Sequence, residues 1–168
     1  MTADQVKKLL SLEPHPREGG WFRRTYEATE KVPAAALGES RYPSPRRTGT
    51  AIFYLLETDS FSEMHRLRSD EIFHFYAGDP VELLQLRPDG TGSLSLLGND
   101  LFAGQLPQLV VNQDTWQGSR LVRGGAWALL GCTVSPGFEY EDYESGNRKE
   151  LTAKWPDFAT LIAALTHS

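Results

Sequence analysis

The chain has 168 residues, of which 40% are hydrophobic and 23% charged, and a formal net charge of −5. This length predicts one domain, residues 1–168, that buries roughly 70% of the surface of the unfolded chain. The negative charge disfavours a nucleic-acid-binding protein, which needs a basic face for phosphates. A single cysteine, Cys132, excludes an intrachain disulfide, so the fold does not depend on an oxidising compartment.

The first residues, "MTADQVKKLLSLEPHP", lack the apolar run of a signal peptide, and no apolar segment approaches 18 residues. We therefore expect no membrane span and a cytoplasmic protein. Thr2 and Gln5 are spaced as a capping box for a short first helix that Pro14 ends. The next segment, "EGGWFRRTYEA", predicts a turn that leads into a strand.

Strand patterns dominate the rest of the chain. Segment 28–48 has three prolines and little periodicity, which predicts a long surface excursion that covers a site or a partner. Strands are predicted at 49–57, 60–67, 70–78, 81–87, 93–98, 108–112, 115–122, 125–134 and 138–144. A final helix is predicted over 156–168. Many short strands with a helix at each end predict an all-β antiparallel sandwich or barrel.

The stretch "HRLRSDEIFHFYAG" at 65–78 concentrates histidines and acids between apolar residues. It resembles the first cupin motif, with His65, Leu67, Glu71 and Gly78 at the motif's spacings. The second cupin motif is matched around "VNQDTWQGSR", where Trp116 stands at the histidine position. The segments "EGGWFRRTY", "SDEIFHFYAGDP" and "GCTVSPGFEYEDYE" further resemble a family of small single-domain cupins of unknown function. The resemblance implies a cupin barrel, that is, a jelly roll or double-stranded β-helix.

The cupin resemblance also implies a metal site made of three histidines and one glutamate. Here Leu67 and Trp116 stand at two of the histidine positions, and neither side chain coordinates a metal. His74 is no substitute, because residues alternate faces along a strand and His74 would point away from Glu71. The sequence therefore predicts no bound metal and no other cofactor. A weak metal site at His65 and Glu71, completed by water or substrate, remains an alternative.

Without a metal, the same residues suit acid–base chemistry. Phe61, Glu63 and His65 are predicted to share one face of their strand, and a histidine near a carboxylate in a partly apolar cavity can act as a general base. We assign His65 as the base and Glu71 as its orienting partner. The resemblance to sugar-nucleotide epimerases, which are metal-free cupins with a histidine base, implies an isomerase or epimerase of a small polar molecule such as a sugar.

A second hypothesis is a non-catalytic module that binds a small molecule, with His65 only a hydrogen-bond donor. In either case Phe73, Phe75 and Trp116 would form an apolar wall, and Arg23 or Arg66 would bind an anionic group. The alternative for His65 is a hydrogen-bonded strand residue without function. The resemblance to small cupins also implies a homodimer, in which 28–48 reaches across to the partner or covers the barrel mouth.

Overall fold

The computed structural model describes residues 1–38 and 40–167. Glu39, inside the predicted 28–48 excursion, and Ser168, at the end of the predicted last helix, lie outside the described residues. The strands are β1 (Glu13–Pro14), β2 (Trp21–Glu27), β3 (Lys31–Val32), β4 (Arg46–Arg47), β5 (Thr50–Glu57), β6 (Phe61–Arg66), β7 (Asp70–Gly78), β8 (Val81–Leu86), β9 (Gly92–Leu97), β10 (Gln108–Val111), β11 (Trp116–Leu121), β12 (Trp127–Ser135) and β13 (Glu144–Ser145). The helices are α1 (Ala3–Leu10), α2 (Ala34–Leu37), α3 (Arg148–Lys154) and α4 (Ala159–Ala164).

Two antiparallel sheets form the walls of the molecule. The six-stranded sheet has the order β1-β2-β5-β12-β7-β10, and the five-stranded sheet has the order β13-β6-β11-β8-β9. The chain crosses from one sheet to the other at almost every step between β5 and β12, which is the connectivity of a jelly roll. The predicted fold, a jelly-roll barrel with short terminal helices, is confirmed.

The apolar core lies between the two sheets. Along β7, Glu71, Phe73 and Phe75 are buried, while the alternate residues Ile72 and His74 are only partly buried, as the strand periodicity predicts. The core side chains are Tyr54, Leu56, Phe73, Phe75, Val81, Leu83, Leu97, Val111, Leu121, Ala128, Leu130 and Cys132.

Helices cover parts of the outer faces. The capping box of Thr2 and Gln5 is present, and α1 packs on Leu55 of the six-stranded sheet. Helices α3 and α4 pack over Met64 and Leu84 on the outer face of the five-stranded sheet. The predicted final helix at 156–168 corresponds to a 3₁₀ turn at Pro156–Phe158 followed by α4, whereas α3, which ends before Pro156, was not predicted. Within residues 1–38 and 40–167, no helix is long and apolar enough to cross a membrane.

Segment 28–48 was predicted as a long surface excursion, but part of it is anchored to the rest of the protein by buried side chains. It contains α2 and the two-stranded ribbon of β3 and β4. Tyr42 is 2% exposed, and Arg46 is fully buried. A buried guanidinium requires a paired anion, and Asp142 supplies it.

The predicted strand at 138–144 is wrong. Residues Tyr140–Asp142 form a 3₁₀ turn, and strand pairing resumes only in β13. The turn directs Asp142 inward to Arg46, where its side chain is buried. Burial of this ion pair overrides the local alternation of aromatic and acidic residues.

Candidate functional site

A small cavity opens at one end of the barrel interior, next to the apolar core. Its solvent-accessible volume is about 40 Å³, which is enough to hold water. Its polar walls are formed by His15, Glu18, Arg24, His65, Glu71 and Cys132. The lining is completed by Thr50, by the aromatic rings of Phe22, Phe138 and Tyr140, and by the aliphatic side chains of Ile52, Leu67 and Val134. The cavity therefore combines polar groups with apolar walls.

His65 reaches this cavity because β6 contains a β-bulge. Gln117 pairs with His65, and Ser119 pairs with Ser62, so Glu63 and Met64 together oppose the single residue Gly118. The bulge lets both Ser62 and His65 face the barrel interior. The predicted shared face of Phe61, Glu63 and His65 is therefore wrong, since Phe61 packs in the cluster under α3 and α4.

The imidazole of His65 is held in one orientation. Its Nδ1 lies 2.8 Å from the carbonyl oxygen of Glu63, and its ring stacks on Tyr143 at 4.9 Å with an interplanar angle of 15°. A carbonyl oxygen only accepts hydrogen bonds, so Nδ1 carries the proton. In the neutral ring, Nε2 then has the free lone pair. The group that orients His65 through Nδ1 is thus the Glu63 carbonyl and not the carboxylate of Glu71.

Glu71 enters from the opposite sheet, on β7. The side-chain Nε2 of Gln117 donates to its Oε2 at 2.7 Å, and the Cys132 thiol lies beside it. Burial raises the pKa of Glu71 to about 7, and the Glu18 carboxylate adds to the rise, while His65 and Gln117 oppose it. Glu71 is therefore divided between acid and carboxylate near neutral pH. Burial also raises the pKa of Cys132 well above its usual value, which leaves the thiol unreactive.

The inward residue of β11 is Gln117, one position after Trp116. Gln117 is 1% exposed and sits directly opposite His65 on the neighbouring strand. Trp116 packs in the outer cluster under α3 and α4, and the guanidinium of Arg66 lies 4.6 Å from the centre of its ring. Among the residues that the structure describes, Gln117 Oε1 is buried without a hydrogen-bond partner. The interior position in the second cupin motif thus carries an amide.

The other side chains that were predicted to contact a ligand lie in the apolar core or on the outer face of the sheet. Phe73 and Phe75 are core residues and do not line the cavity. Arg23 lies over the ring of Phe53, with 5.6 Å from its guanidinium carbon to the ring centre. The neighbouring Arg24 lines the cavity instead.

Sequence reasoning missed a second histidine and glutamate at the site. His15 and Glu18 lie in the turn between β1 and β2, and both line the cavity. Glu18 Oε1 accepts a hydrogen bond from Ser62 Oγ at 2.5 Å. The sequence shows His15 and Glu18 close together in the segment "EPHPREGG". A turn, however, has no periodicity that would indicate which way its side chains point.

The donor set does not fit the metal that the cupin motif implies. Leu67 lines the cavity with an apolar side chain, and Gln117 uses its amide nitrogen on Glu71. Within residues 1–38 and 40–167, no group of three or more His, Cys, Asp or Glu side chains is arranged to hold a metal ion. A firmly held transition metal usually takes three or more protein ligands.

Comparison with known proteins agrees with this architecture. The family model described as "Cupin superfamily (DUF985)" matches residues 4–146. The crystal structure of protein SO0799 from Shewanella oneidensis has 33% identity and a TM-score of 0.86, over 99% of this chain and 98% of that one. A hypothetical protein from Leishmania major has 30% identity and a TM-score of 0.88, over the full length of both chains.

More distant similarity extends to an enzyme of known structure. Oxalate decarboxylase from Bacillus subtilis has 12% identity and a TM-score of 0.54, over 93% of this chain and 37% of that one. At this identity the likeness shows the fold alone. Comparison with proteins of curated function finds no match. On the match over residues 4–146 and the two full-length relatives, the chain belongs to the cupin superfamily, in the DUF985 family.

Proposed function

We propose that the protein is a metal-independent isomerase or epimerase that acts on a small polar molecule such as a sugar, with His65 as the base. One observation carries the proposal. The hydrogen bond from His65 Nδ1 to the Glu63 carbonyl leaves the lone pair of Nε2 available on a ring that lines the cavity. A positioned imidazole of this kind typically contributes about 10²–10⁴-fold to proton transfer.

Glu71 supplies the second proton-transfer group. His65 belongs to the five-stranded sheet and Glu71 to the six-stranded sheet, so they approach the cavity from opposite walls. His65 removes a proton from a carbon beside a carbonyl, and the neutral form of Glu71 returns a proton to the other face of that carbon. The configuration at that carbon is inverted. The imidazolium of His65 then gives its proton to water and the carboxylate of Glu71 takes one up, so the number of protons does not change.

The cavity limits the size of what reacts. The solvent-accessible volume of about 40 Å³ suits the reacting end of a small ligand, whose remaining atoms would lie at the mouth. The rings of Phe138 and Tyr140, in edge contact at 5.1 Å, offer an apolar face there. Arg24 lines the same cavity, but its Nη1 is paired with Glu27 at 2.7 Å. An anionic ligand would have to displace that carboxylate.

The test is deuterium exchange into small carbonyl sugars, followed by proton NMR. His65→Asn retains an amide N–H near the position of Nδ1 but removes the basic nitrogen. We expect at least about a hundredfold loss of exchange with a nearly unchanged melting temperature. The matched control is His74→Asn, because His74 lies on the outer face, hydrogen-bonded to Thr133. Exchange that survives in His65→Asn would refute the proposal, and a large loss of stability would support a structural role.

The alternative is a binding module without turnover. Gln117 does not itself line the cavity, but it contacts Glu71 of the cavity wall, and its buried Oε1 has no partner among the described residues. A retained molecule that reaches Gln117 past Glu71 would supply the missing donor, which favours this alternative. Native mass spectrometry of the purified protein would identify a retained small molecule, and elemental analysis of the same sample tests for a weakly bound metal. A retained ligand that neither exchanges nor isomerises would favour this alternative.

We further propose that two copies pair through the outer face of the six-stranded sheet. Tyr26, Tyr76 and Val110 are 57%, 48% and 48% exposed there, in an area that α1 does not cover. Exposed aromatic and apolar side chains on one face are typical of an interface. Light scattering should give twice the chain mass of 18.8 kDa, and Tyr76→Glu should halve it. Phe102→Glu, in an exposed loop, is the control, and a wild-type mass of one chain would refute the dimer.

A further inference from the structure

His15 is fixed by the turn that contains it. Its Nδ1 accepts hydrogen bonds from the backbone N–H groups of Glu18, at 2.8 Å, and Arg17, at 3.4 Å. The ring also makes an edge contact with Phe22 at 4.7 Å, and its side chain is 5% exposed. Both the orientation and the hydrogen bonding of this imidazole are therefore set by the protein.

These contacts determine which nitrogen of His15 carries the proton. A backbone N–H only donates, so Nδ1 must offer a lone pair, and Nε2 must be protonated. Burial lowers the pKa of His15, against a smaller opposing effect of Glu18, so the neutral ring is favoured at pH 7. Its Nε2 is 3.9 Å from Glu18 Oε2, which is longer than a hydrogen bond.

His15 and His65 are thus held in opposite tautomers beside one cavity. His65 presents a lone pair on Nε2 because its Nδ1–H is bonded to the Glu63 carbonyl. His15 presents an N–H on Nε2 because its Nδ1 is bonded to backbone N–H groups. One imidazole accepts and the other donates, which is the pair of functions that enolisation requires.

We propose that His15 is the electrophile of this site, a neutral N–H donor that holds the carbonyl oxygen of the ligand while His65 takes the adjacent proton. The assignment rests on the proposed function and makes it more specific: the ligand is a small α-hydroxy carbonyl compound whose reacting part is uncharged. The carboxyl groups of Glu18 and Glu71 in the same cavity disfavour a further anionic group next to them.

Every proton and electron pair in this step can be accounted for. The C–H bond beside the carbonyl breaks, and its proton forms an N–H bond with His65 Nε2. The C–H electron pair becomes the C=C bond of the enolate, and the carbonyl π pair moves to the oxygen that His15 Nε2–H holds. Return of a proton to carbon restores the carbonyl, so no oxidant or co-reactant is needed.

The first test is the tautomeric state of both rings in the full-length protein, measured at pH 7 by long-range nitrogen–proton NMR. We expect the proton of the neutral ring to lie on Nε2 in His15 and on Nδ1 in His65. A His15 ring that is protonated on Nδ1, alone or together with Nε2, would overturn the donor assignment. This measurement requires no substrate and no activity.

The second test uses two substitutions and dihydroxyacetone as the probe in deuterium oxide. His15→Gln places an amide N–H near the position of Nε2, and His15→Asn keeps only the group near Nδ1. We expect His15→Gln to retain exchange within about tenfold and His15→Asn to lose about a hundredfold or more, with the loss in kcat. Equal retention in both variants overturns the role of His15.

The two proposals fail in different ways. If His65→Asn retains exchange, the base assignment fails whatever the His15 variants do. If His65→Asn abolishes exchange and His15→Asn does not, only the electrophile role of His15 fails. Wild-type exchange no faster than buffer would overturn the α-hydroxy carbonyl assignment, and the tautomer measurement would still decide whether His15 is a donor.

Discussion

The guanidinium of Arg46 and the carboxylate of Asp142 form a two-point ion pair, with 2.7 Å from Nε to Oδ2 and 2.7 Å from Nη2 to Oδ1. The pair joins segment 28–48 to the turn Tyr140–Asp142. That turn carries Tyr140 of the cavity wall and is followed directly by Tyr143, the stacking partner of His65. A buried charge pair distant in sequence therefore supports the mouth of the cavity.

We predict that Asp142→Asn lowers the free energy of unfolding by about 3 kcal/mol, because the buried Arg46 guanidinium then keeps only the half-exposed carboxylate of Glu141 as a charge partner. Urea denaturation at pH 7 measures the loss. Glu144→Gln is the matched control, since it breaks the exposed pair with Arg66 and should cost about 1 kcal/mol or less. Similar losses in the two variants would contradict the prediction.

The raised pKa of Glu71 makes stability depend on pH. The folded protein keeps a proton on Glu71 up to about pH 7, whereas the unfolded chain releases it near the ordinary value of 4.5. The stabilising contribution of this proton is complete below pH 4.5 and is lost as pH rises through 7. We predict that Glu71→Gln, which cannot ionise, gains on the order of 3 kcal/mol relative to wild type between pH 5 and pH 8.

Urea denaturation of both proteins at several pH values checks this. Glu30→Gln, which changes an exposed side chain, should show no such pH-dependent gain. A constant difference between Glu71→Gln and wild type would show that Glu71 ionises normally. The same ionisation predicts that deuterium exchange by the wild-type protein falls above pH 7, because Glu71 loses the proton it donates.

The alternation along a strand predicted which residues share a face, but the sequence did not always predict which of the two faces points into the barrel. The alternation along β7 correctly put Glu71 with Phe73 and apart from His74. On β11 the motif spacing placed Trp116 at the interior position, but Gln117 occupies it. Since successive side chains of a strand alternate, a register error of one residue exchanges the interior and exterior sets.

Two further features of the site could not be predicted from local sequence patterns. The bulge in β6, which turns both Ser62 and His65 inward, depends on how β6 pairs with β11 and not on its own periodicity. His15 and Glu18 reach the cavity through a turn docked on β6, where the backbone N–H of Glu63 donates to the Glu18 carbonyl at 2.8 Å. This contact joins residues that are far apart in the sequence, so no local pattern predicts it.

The interior positions of the cupin motif predict a gain of function. Leu67 lines the cavity and Gln117 contacts Glu71, so Leu67→His with Gln117→His would place two imidazoles beside His65 and Glu71. His65 already donates its Nδ1–H to a carbonyl, as metal-binding histidines commonly do. We predict that the double variant binds Ni²⁺ or Zn²⁺ at least about tenfold more tightly than wild type, because it has four ligands in place of two. Isothermal titration and elemental analysis measure the affinity and stoichiometry.

The control combines Leu67→His with Trp116→His, whose new imidazole would lie on the outer face and add no ligand. Tighter binding by this control than by the Gln117 variant would mean that Trp116 holds the interior position after all.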